Sequence, residues 1–506
     1  MTLLLSAAAC GSTTGATVAT PNVDPPAAPQ PGAAAAAQPP TRQSPPPSGP
    51  ARDVRFPPIA RSHLDNGLEI NAVRTAALPV VYLRLVVRSG AETDPPQLPG
   101  LAHLVGQMLE EGTRTRTAAE LAEAVEFLGA DLWVEDNEET VTVAVRALAE
   151  HLDAAMELLA DVVRNPRFAE DELRKLKERE RSRLEMQLSQ ERFLARRELF
   201  AALYGEHPYA RIDTTVEALG RVRRADLQRW HRTHFVPNNA FLVAVGAPEP
   251  EAVRAAAERH FATWRRGTVP EVRYPAPPSP DGRRIVLVHR AGSVQSLVLI
   301  GRLAVARADP DFVPLLVQNQ VLGGSAASRL FMDLRERRSL TYGAYSRLLE
   351  RQQPAPLIAS AQVRNEVTRE ALAAFFEHLE RIVREPAPED ELSDARRALA
   401  DGFPLEIDTP AKIASMVGDL RLFGLPDDYW DGFRSAIGAV TASEALGAMQ
   451  RHFDPSRVVV VVVGDADAVQ DALRVWGPVR VVDVEGRELR RLDPVAPSQT
   501  SPTSSG

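Results

Sequence analysis

The stretch Pro99-Gly100-Leu101-Ala102-His103-Leu104-Val105-Gly106-Gln107-Met108-Leu109-Glu110-Glu111-Gly112-Thr113 decides how this chain is read. A catalytic zinc generally needs three protein ligands and an open position for the water it activates. His103 offers an imidazole, but Gln107, four residues on, offers only a neutral amide oxygen, which suits zinc poorly. Gly106 has no side chain to take a proton from water. Nor does it stabilise a helix, since an interior glycine costs about 1 kcal/mol relative to alanine. None of the ten histidines begins a His-x-x-Glu-His or a His-Glu-x-x-His run, so no displaced motif restores the chemistry.

This segment resembles the zinc-binding helix of the inverzincins, the family of insulinase, pitrilysin and mitochondrial processing peptidase. There the core reads His-x-x-Glu-His, with two ligating histidines on one helix face and a general-base glutamate beside them. Here it reads His-x-x-Gly-Gln. The family's third ligand lies on a later helix in a Glu-x6-Glu pattern, which Glu178 to Glu185 matches; seven residues at about 3.6 per turn put the two on one face. The resemblance therefore places Glu185 at the ligand position. It implies a vestigial site in which His103 and Glu185 remain, Gly106 and Gln107 mark lost positions, and no metal is held. The alternative for His103 is a hydrogen-bonded histidine in a vestigial cleft. For the glutamates it is a solvated face with charge pairs three and four apart.

The second half carries Gly323-Gly324-Ser325-Ala326-Ala327-Ser328-Arg329-Leu330-Phe331-Met332-Asp333-Leu334-Arg335-Glu336-Arg337-Arg338-Ser339-Leu340-Thr341-Tyr342, which is very similar to the family's C-terminal signature. That signature holds an Arg-x6-Tyr pair, here Arg335 and Tyr342, which the resemblance assigns to substrate binding and to steadying the oxyanion of a tetrahedral intermediate. A guanidinium and a phenol are donors that can be aimed at developing negative charge. The bland alternative is a surface arginine and a core strand tyrosine.

At 506 residues the chain has room for two or three domains, and a net charge of -8 gives no sign of a nucleic-acid-binding surface. Residues 1–10 end an apolar run in small residues before Cys10, which resembles the tail of a bacterial lipoprotein signal peptide with Cys10 lipidated. No Lys or Arg precedes the run, and Leu3 to Ala9 is too short to span a bilayer. Cys10 is the only cysteine, which excludes an intrachain disulfide and a cysteine-rich metal site. Residues 11–55, rich in Pro and Ala, cannot bury enough surface to order themselves and read as a tether. The polar tail, 491–506, reads likewise.

Between these, 56–266 and 284–490 repeat one order of elements around a proline-rich linker, 267–283. Thr117-Ala118-Ala119-Glu120 is a capping box opening a helix that ends near Gly129. Val141, Val143 and Val145 alternate as a half-buried strand, and Ala240 to Gly246 closes the first half. In the second half Val458 to Val463 closes in the same way, and Glu389-Asp390-Glu391-Leu392 parallels Glu170-Asp171-Glu172-Leu173. The fold class is α+β: two tandem copies, each a mixed sheet backed by helices. The resemblance adds that the copies face one another like a clamshell. His231 and His234 lie where the family uses residues structurally, His207 resembles a family packing position, and Trp133 and Trp230 read as core or interface aromatics.

The expectation is a non-catalytic family member on the periplasmic side of a Gram-negative envelope, anchored to a membrane by lipid. Its partner would be a homologous chain with an intact His-x-x-Glu-His that carries the zinc, with Arg335 and Tyr342 supplied to the partner's site for peptide hydrolysis. Two rivals stand: a structural or peptide-binding scaffold, and a zinc peptidase active by itself.

Overall fold

The computed structural model describes residues 54–75 and 78–495, which fall in one compact unit running from residue 53 onward. Cys10, most of the 11–55 tether and residues 496–506 lie outside the described residues.

The first half builds a six-stranded sheet from β1 (Ile59–His63), β2 (Glu69–Arg74), β3 (Val80–Val87), β4 (Asp131–Asp136), β5 (Val141–Leu148) and β6 (Ala240–Gly246), in the order β1-β2-β6-β3-β5-β4. The second half builds a seven-stranded sheet from β7 (Arg284–His289), β8 (Gln295–Leu303), β9 (Thr341–Leu348), β10 (Pro356–Arg364), β11 (Val459–Gly464), β12 (Val479–Val482) and β13 (Glu488–Leu492), in the order β13-β12-β7-β11-β8-β10-β9. The run β2-β6-β3-β5-β4 thus recurs as β7-β11-β8-β10-β9, with one parallel pair in each, β2 with β6 and β7 with β11. This is the α+β architecture with two tandem mixed sheets.

What joins the halves is an exchange of helices. Helix Glu191–Tyr204 belongs to the first half, yet Leu194, Ala195, Leu199 and Leu203 pack on Val286, Val288, Val459, Val461 and Val463 of the second sheet. Reciprocally, Ile413, Ala414, Val417 and Leu420 of helix Pro410–Leu422 pack on Val73, Tyr82, Val86, Val243 and Val245 of the first. Each sheet is therefore covered on both faces, which explains the near-continuous valine runs of β6 and β11. The clamshell takes the form of two halves locked through shared cores.

The capping box is present, with Thr117 accepting from Glu120 N and Glu120 accepting from Thr117 N, and its helix spans Ala118–Phe127. Strand β5 departs from expectation. It is not half-buried: Thr142 and Ala144 are covered as well as Val141, Val143 and Val145, because the exchanged helix lies on its far side. The polar tail also begins later than 491, since Arg491 and Leu492 pair with Arg480 and Val479 in β12–β13. Residues 267–283 carry no helix or strand, yet they are held against the first half, where Tyr274 stacks on His207 and donates to Glu92 Oε2 at 2.7 Å.

Candidate functional site: a vestigial metal cleft and an exposed arginine–tyrosine pair

His103 sits on helix Leu101–Leu109, whose start is fixed by chemistry outside the helix. Gly100 adopts φ 83, and a Cβ there would lie 2.5 Å from Thr214 Cβ, so only glycine fits. The buried Asp94 carboxylate accepts from the backbone N–H of Gly100, Leu101 and Ala102 at 2.7, 3.1 and 2.8 Å, taking up the donors a helix start leaves free. Burial outweighs those bonds and pushes Asp94 up to about 7.

Both ring nitrogens of His103 face carboxylates. Nδ1 is hydrogen-bonded to Asp136 Oδ1 at 2.9 Å. Nε2 lies 3.3 Å from Glu180 Oε2, an ion pair whose direction falls short of hydrogen-bond geometry. Burial alone would lower the pKa of His103, but the two carboxylates win and hold it up to about 10, so the ring is an imidazolium at neutral pH. Glu180 in turn accepts from Arg183 Nε at 2.5 Å, and Arg183 makes a two-pronged pair with Asp213 at 2.8 Å on each nitrogen. Two cations, His103 and Arg183, thus neutralise Glu180 where the family would place a metal.

The carboxylate beside His103 is Glu180, not Glu185. On helix Glu170–Gln187, Leu173, Leu176, Glu180 and Leu184 form the buried face, whereas Glu178 and Glu185 are exposed, with Glu178 accepting from Arg174. The seven-residue spacing was real, but the apolar residues turn that face outward. Gly106 is buried, and a Cβ there would stand 3.2 Å from Val134 Cγ1, so the base position is filled from the neighbouring strand β4. With a protonated histidine, an amide at Gln107 and a glutamate already bound by Arg183, the donor set does not suit zinc. Asp136, Arg183 and Asp213 carried no signal in the sequence, because each reaches the cleft from a separate segment.

Arg335 lies within, and Tyr342 just after, an unusual turn. Residues Met332–Arg337 form a π-type helix, a geometry found often at functional sites, and Ser339 takes φ 53, a conformation rare outside glycine. Arg335 lies over the Phe331 ring at 5.0 Å and donates from Nη1 to the backbone carbonyl of Tyr342 at 3.1 Å. The Tyr342 side chain stands on β9, an edge strand, and is 87 % exposed rather than in the core.

The structure does not bring this pair to His103. His103 lines a cavity of about 360 Å³ with Asp136, Arg183 and Asp213, whereas Tyr342 lines a larger one of about 1070 Å³ against β8–β10. Arg196 and Arg351, both salt-bridged to Glu138 at 2.9 and 2.7 Å, border both cavities. His231, His234 and His207 are engaged in structural hydrogen bonds. His231 Nε2 bonds Val163 O at 2.8 Å, His234 Nδ1 bonds Ser89 Oγ at 2.9 Å, and His207 caps Tyr209 N at 3.1 Å. Trp230 is buried, with its Nε1 donating to Thr93, and the half-buried Trp133 leans on Tyr82.

Residues 72–213 match the insulinase family, peptidase family M16, and residues 221–399 match the peptidase M16 inactive domain. The chain belongs to the M16 peptidase family. An uncharacterized zinc protease of Mycobacterium tuberculosis is 28 % identical over 415 residues, covering 80 % of this chain and 92 % of that one. The uncharacterized zinc protease YmxG of Bacillus subtilis is 25 % identical over 290 residues, 57 % of this chain and 69 % of its own. Among solved structures, a peptidase M16 inactive domain from Pseudomonas fluorescens superposes with a TM-score of 0.76 at 27 % identity, over 80 % of this chain and 98 % of that one. A protease from Helicobacter pylori shares the fold, with a TM-score of 0.71 at 18 % identity over 81 % and 100 % of the two chains.

Proposed function

We propose that this chain is the non-catalytic subunit of a two-chain zinc peptidase. Its partner is a homologous chain with an intact His-x-x-Glu-His, and this chain contributes Arg335 and Tyr342 to the partner's site. The observation that carries the reading is the state of His103, flanked by Asp136 and Glu180 with Glu180 closed off by Arg183. A glutamate already paired with both His103 and Arg183 is not free to ligate zinc, and neither Gly106 nor Gln107 can activate water. The exposed Tyr342, on an edge strand and not among the residues lining the His103 cavity, has the placement a residue needs to act in another subunit. Relatives described as zinc proteases, and the match to an inactive M16 domain, support a role connected with peptide hydrolysis.

The partnership is tested by purifying the chain from its native cell, identifying what accompanies it, and measuring zinc per chain and peptide hydrolysis for the complex and for each subunit. The reading expects zinc and the His-x-x-Glu-His on the companion only, with hydrolysis requiring both. Hydrolysis by this chain alone, sensitive to chelators, defeats it. Attachment through a lipidated Cys10 at the periplasmic side of the envelope belongs to the same proposal. There the full-length protein should partition with membranes and Cys10→Ser should release it.

A further inference from the structure

On the first half, away from the His103 cleft, a cavity of about 300 Å³ is lined by five arginines and by no carboxylate. Three segments converge to build it. Arg114 comes from the turn after the His103 helix, Arg164 and Arg167 from the end of helix Leu152–Arg164 and the turn beyond, and Arg224 and Arg232 from helix Arg224–His234. The segments are stitched by backbone bonds, Arg114 N to Asn165 O at 2.8 Å and Arg167 N to Gly112 O at 3.1 Å.

Two of the arginines are anchored. Arg224 donates from Nε to Phe168 O at 2.6 Å and from Nη2 to Arg167 O at 3.1 Å, and Arg164 donates to His260 O and to Thr263 Oγ1. The guanidinia of Arg114, Arg167 and Arg232 make no hydrogen bond or ion pair with any described residue. Asp161 and Glu120, whose charges reach Arg164 and Arg167, are already engaged, Asp161 by Thr113, Thr115, Arg116 and Asn165, and Glu120 by Thr117. His231 in the wall is kept neutral, lowered to about 4 by burial and by the charges of Arg114 and Arg232. Phe168, also in the wall, is buried at φ 48, and with Ser339 it is one of two non-glycine residues at positive φ among the described residues. Backbone strain of that kind persists where surrounding structure enforces it, often at ligand sites.

We propose that this arginine cavity binds a multivalent phosphate group, carried either by a soluble phosphate compound or by a phospholipid headgroup. Gathering five guanidinium charges with no carboxylate in the wall is unfavourable until an anion is held among them. A carboxylate would offset one charge, whereas a phosphate presents several oxygens and up to two charges to planar donor forks that match it. The volume takes one or two phosphate groups and leaves an attached moiety outside. The inference is independent of the peptidase reading, since it uses none of those residues.

The test uses the full chain in a Cys10→Ser background, so that no acyl group brings it to lipid. Pyrophosphate is titrated calorimetrically at constant ionic strength beside acetate. Binding of one pyrophosphate per chain, tighter than acetate, is expected. The triple variant R114A/R167A/R232A should weaken it by about a hundredfold, as the loss of three charge-assisted contacts implies. A charge-matched control, R221A/R254A/R265A, alters exposed arginines elsewhere and should stay within about twofold of the parent, a surface change of little consequence. Vesicles of phosphatidylcholine with and without phosphatidic acid separate the sources. Sedimentation with phosphatidic acid that the cavity variant abolishes assigns a headgroup. Pyrophosphate binding without vesicle binding assigns a soluble phosphate. If neither probe binds, or if the cavity variant binds as the control does, the proposal is overturned.

Discussion

His103 and Glu180 face one another across 3.3 Å as a cation and an anion, on two helices that a metal would otherwise bridge. The stability this pairing gives depends on pH with a definite sign. The folded pKa of His103, about 10, lies above its ordinary 6.5, so the contribution is fully present below pH 6.5 and is lost as pH rises toward 10. Burial raises Glu92 and Asp94 to about 8 and 7, and these also cost stability on alkalinisation, Glu92 still titrating between about pH 8 and 9. Glu92, and the buried tyrosines Tyr204 and Tyr274 whose pKa values burial raises, are common to the parent and to His103→Gln, so the difference between the two proteins from pH 8 to 10 isolates His103. The share of the slope that His103 supplies there is at most about 1.4 kcal/mol per pH unit, and His103→Gln should flatten the slope by that share. Denaturant melts of both proteins at pH 8, 9 and 10 measure it; parallel slopes would dismiss the imidazolium.

Rebuilding the family motif should not by itself rebuild the metal site. A glutamate at position 106 meets Val134 and Val141, whose Cγ1 atoms lie 3.2 and 3.6 Å from the position of its Cβ. Overpacking of that kind costs about 1–3 kcal/mol, against about 1 kcal/mol regained by removing a helical glycine. The double variant Gly106→Glu, Gln107→His should thus be no more stable than the parent. It should bind zinc weakly, because Glu180 remains paired with Arg183 and His103 must first lose a proton. Adding Arg183→Leu should tighten zinc binding, as read by competition with a chromophoric chelator. Stoichiometric zinc in the unmodified protein would falsify this account.

How much of this was legible beforehand differs between scaffold and cleft. The repeated element order gave two tandem domains, and the Thr117–Glu120 box gave a helix start, because both depend on local pattern. The exchanged helices Glu191–Tyr204 and Pro410–Leu422 escaped notice, since nothing local tells a helix that packs on its own sheet from one that packs on a neighbour's. The same limit explains Glu185. Spacing placed two glutamates on one face, but only the positions of Leu173, Leu176 and Leu184 reveal that Glu180 is the one turned inward. Asp136 and Asp213 had no motif to announce them, being brought to the cleft by a strand and a loop.

The join between the halves also rests on a buried charge. Arg421, on one exchanged helix, pairs through Nε with Glu69 Oε1 at 2.8 Å and donates to Asn71 Oδ1 at 2.7 Å, both on β2 of the other half. Removing one member of a buried pair costs about 3–5 kcal/mol, because the charge left behind has lost both water and partner. Arg61, 3.0 Å from Glu69, softens the loss, so Arg421→Ala should fall near the lower figure. Thermal unfolding should show a lowered midpoint, and Arg421→Met should recover part of it by packing. A shift no larger than that of a surface substitution would mean that the apolar cores alone hold the halves.

The sharpest separation of a catalytic partner from a scaffold lies in Arg335 and Tyr342. The Tyr342 side chain is 87 % exposed, and its hydroxyl forms no bond to any described residue, so Tyr342→Phe should leave stability within about 0.5 kcal/mol. Arg335 also holds the Tyr342 carbonyl, so Arg335→Ala removes one donor and loosens the other, whereas Arg335→Lys keeps the charge and loses the fork. If the pair donates to an oxyanion in a partner's site, loss of one donor lowers turnover by about a hundred- to a thousand-fold, or about 2.7–4 kcal/mol. The variants should assemble with the zinc-bearing chain as the parent does, with matching size-exclusion profiles and zinc content. The loss should fall mainly on kcat, because the bond matures as the oxyanion forms. Arg335→Lys should retain more activity than Arg335→Ala. Undiminished hydrolysis by both Tyr342→Phe and Arg335→Ala in an intact complex would show that this chain only holds its partner, and the scaffold reading would then take precedence.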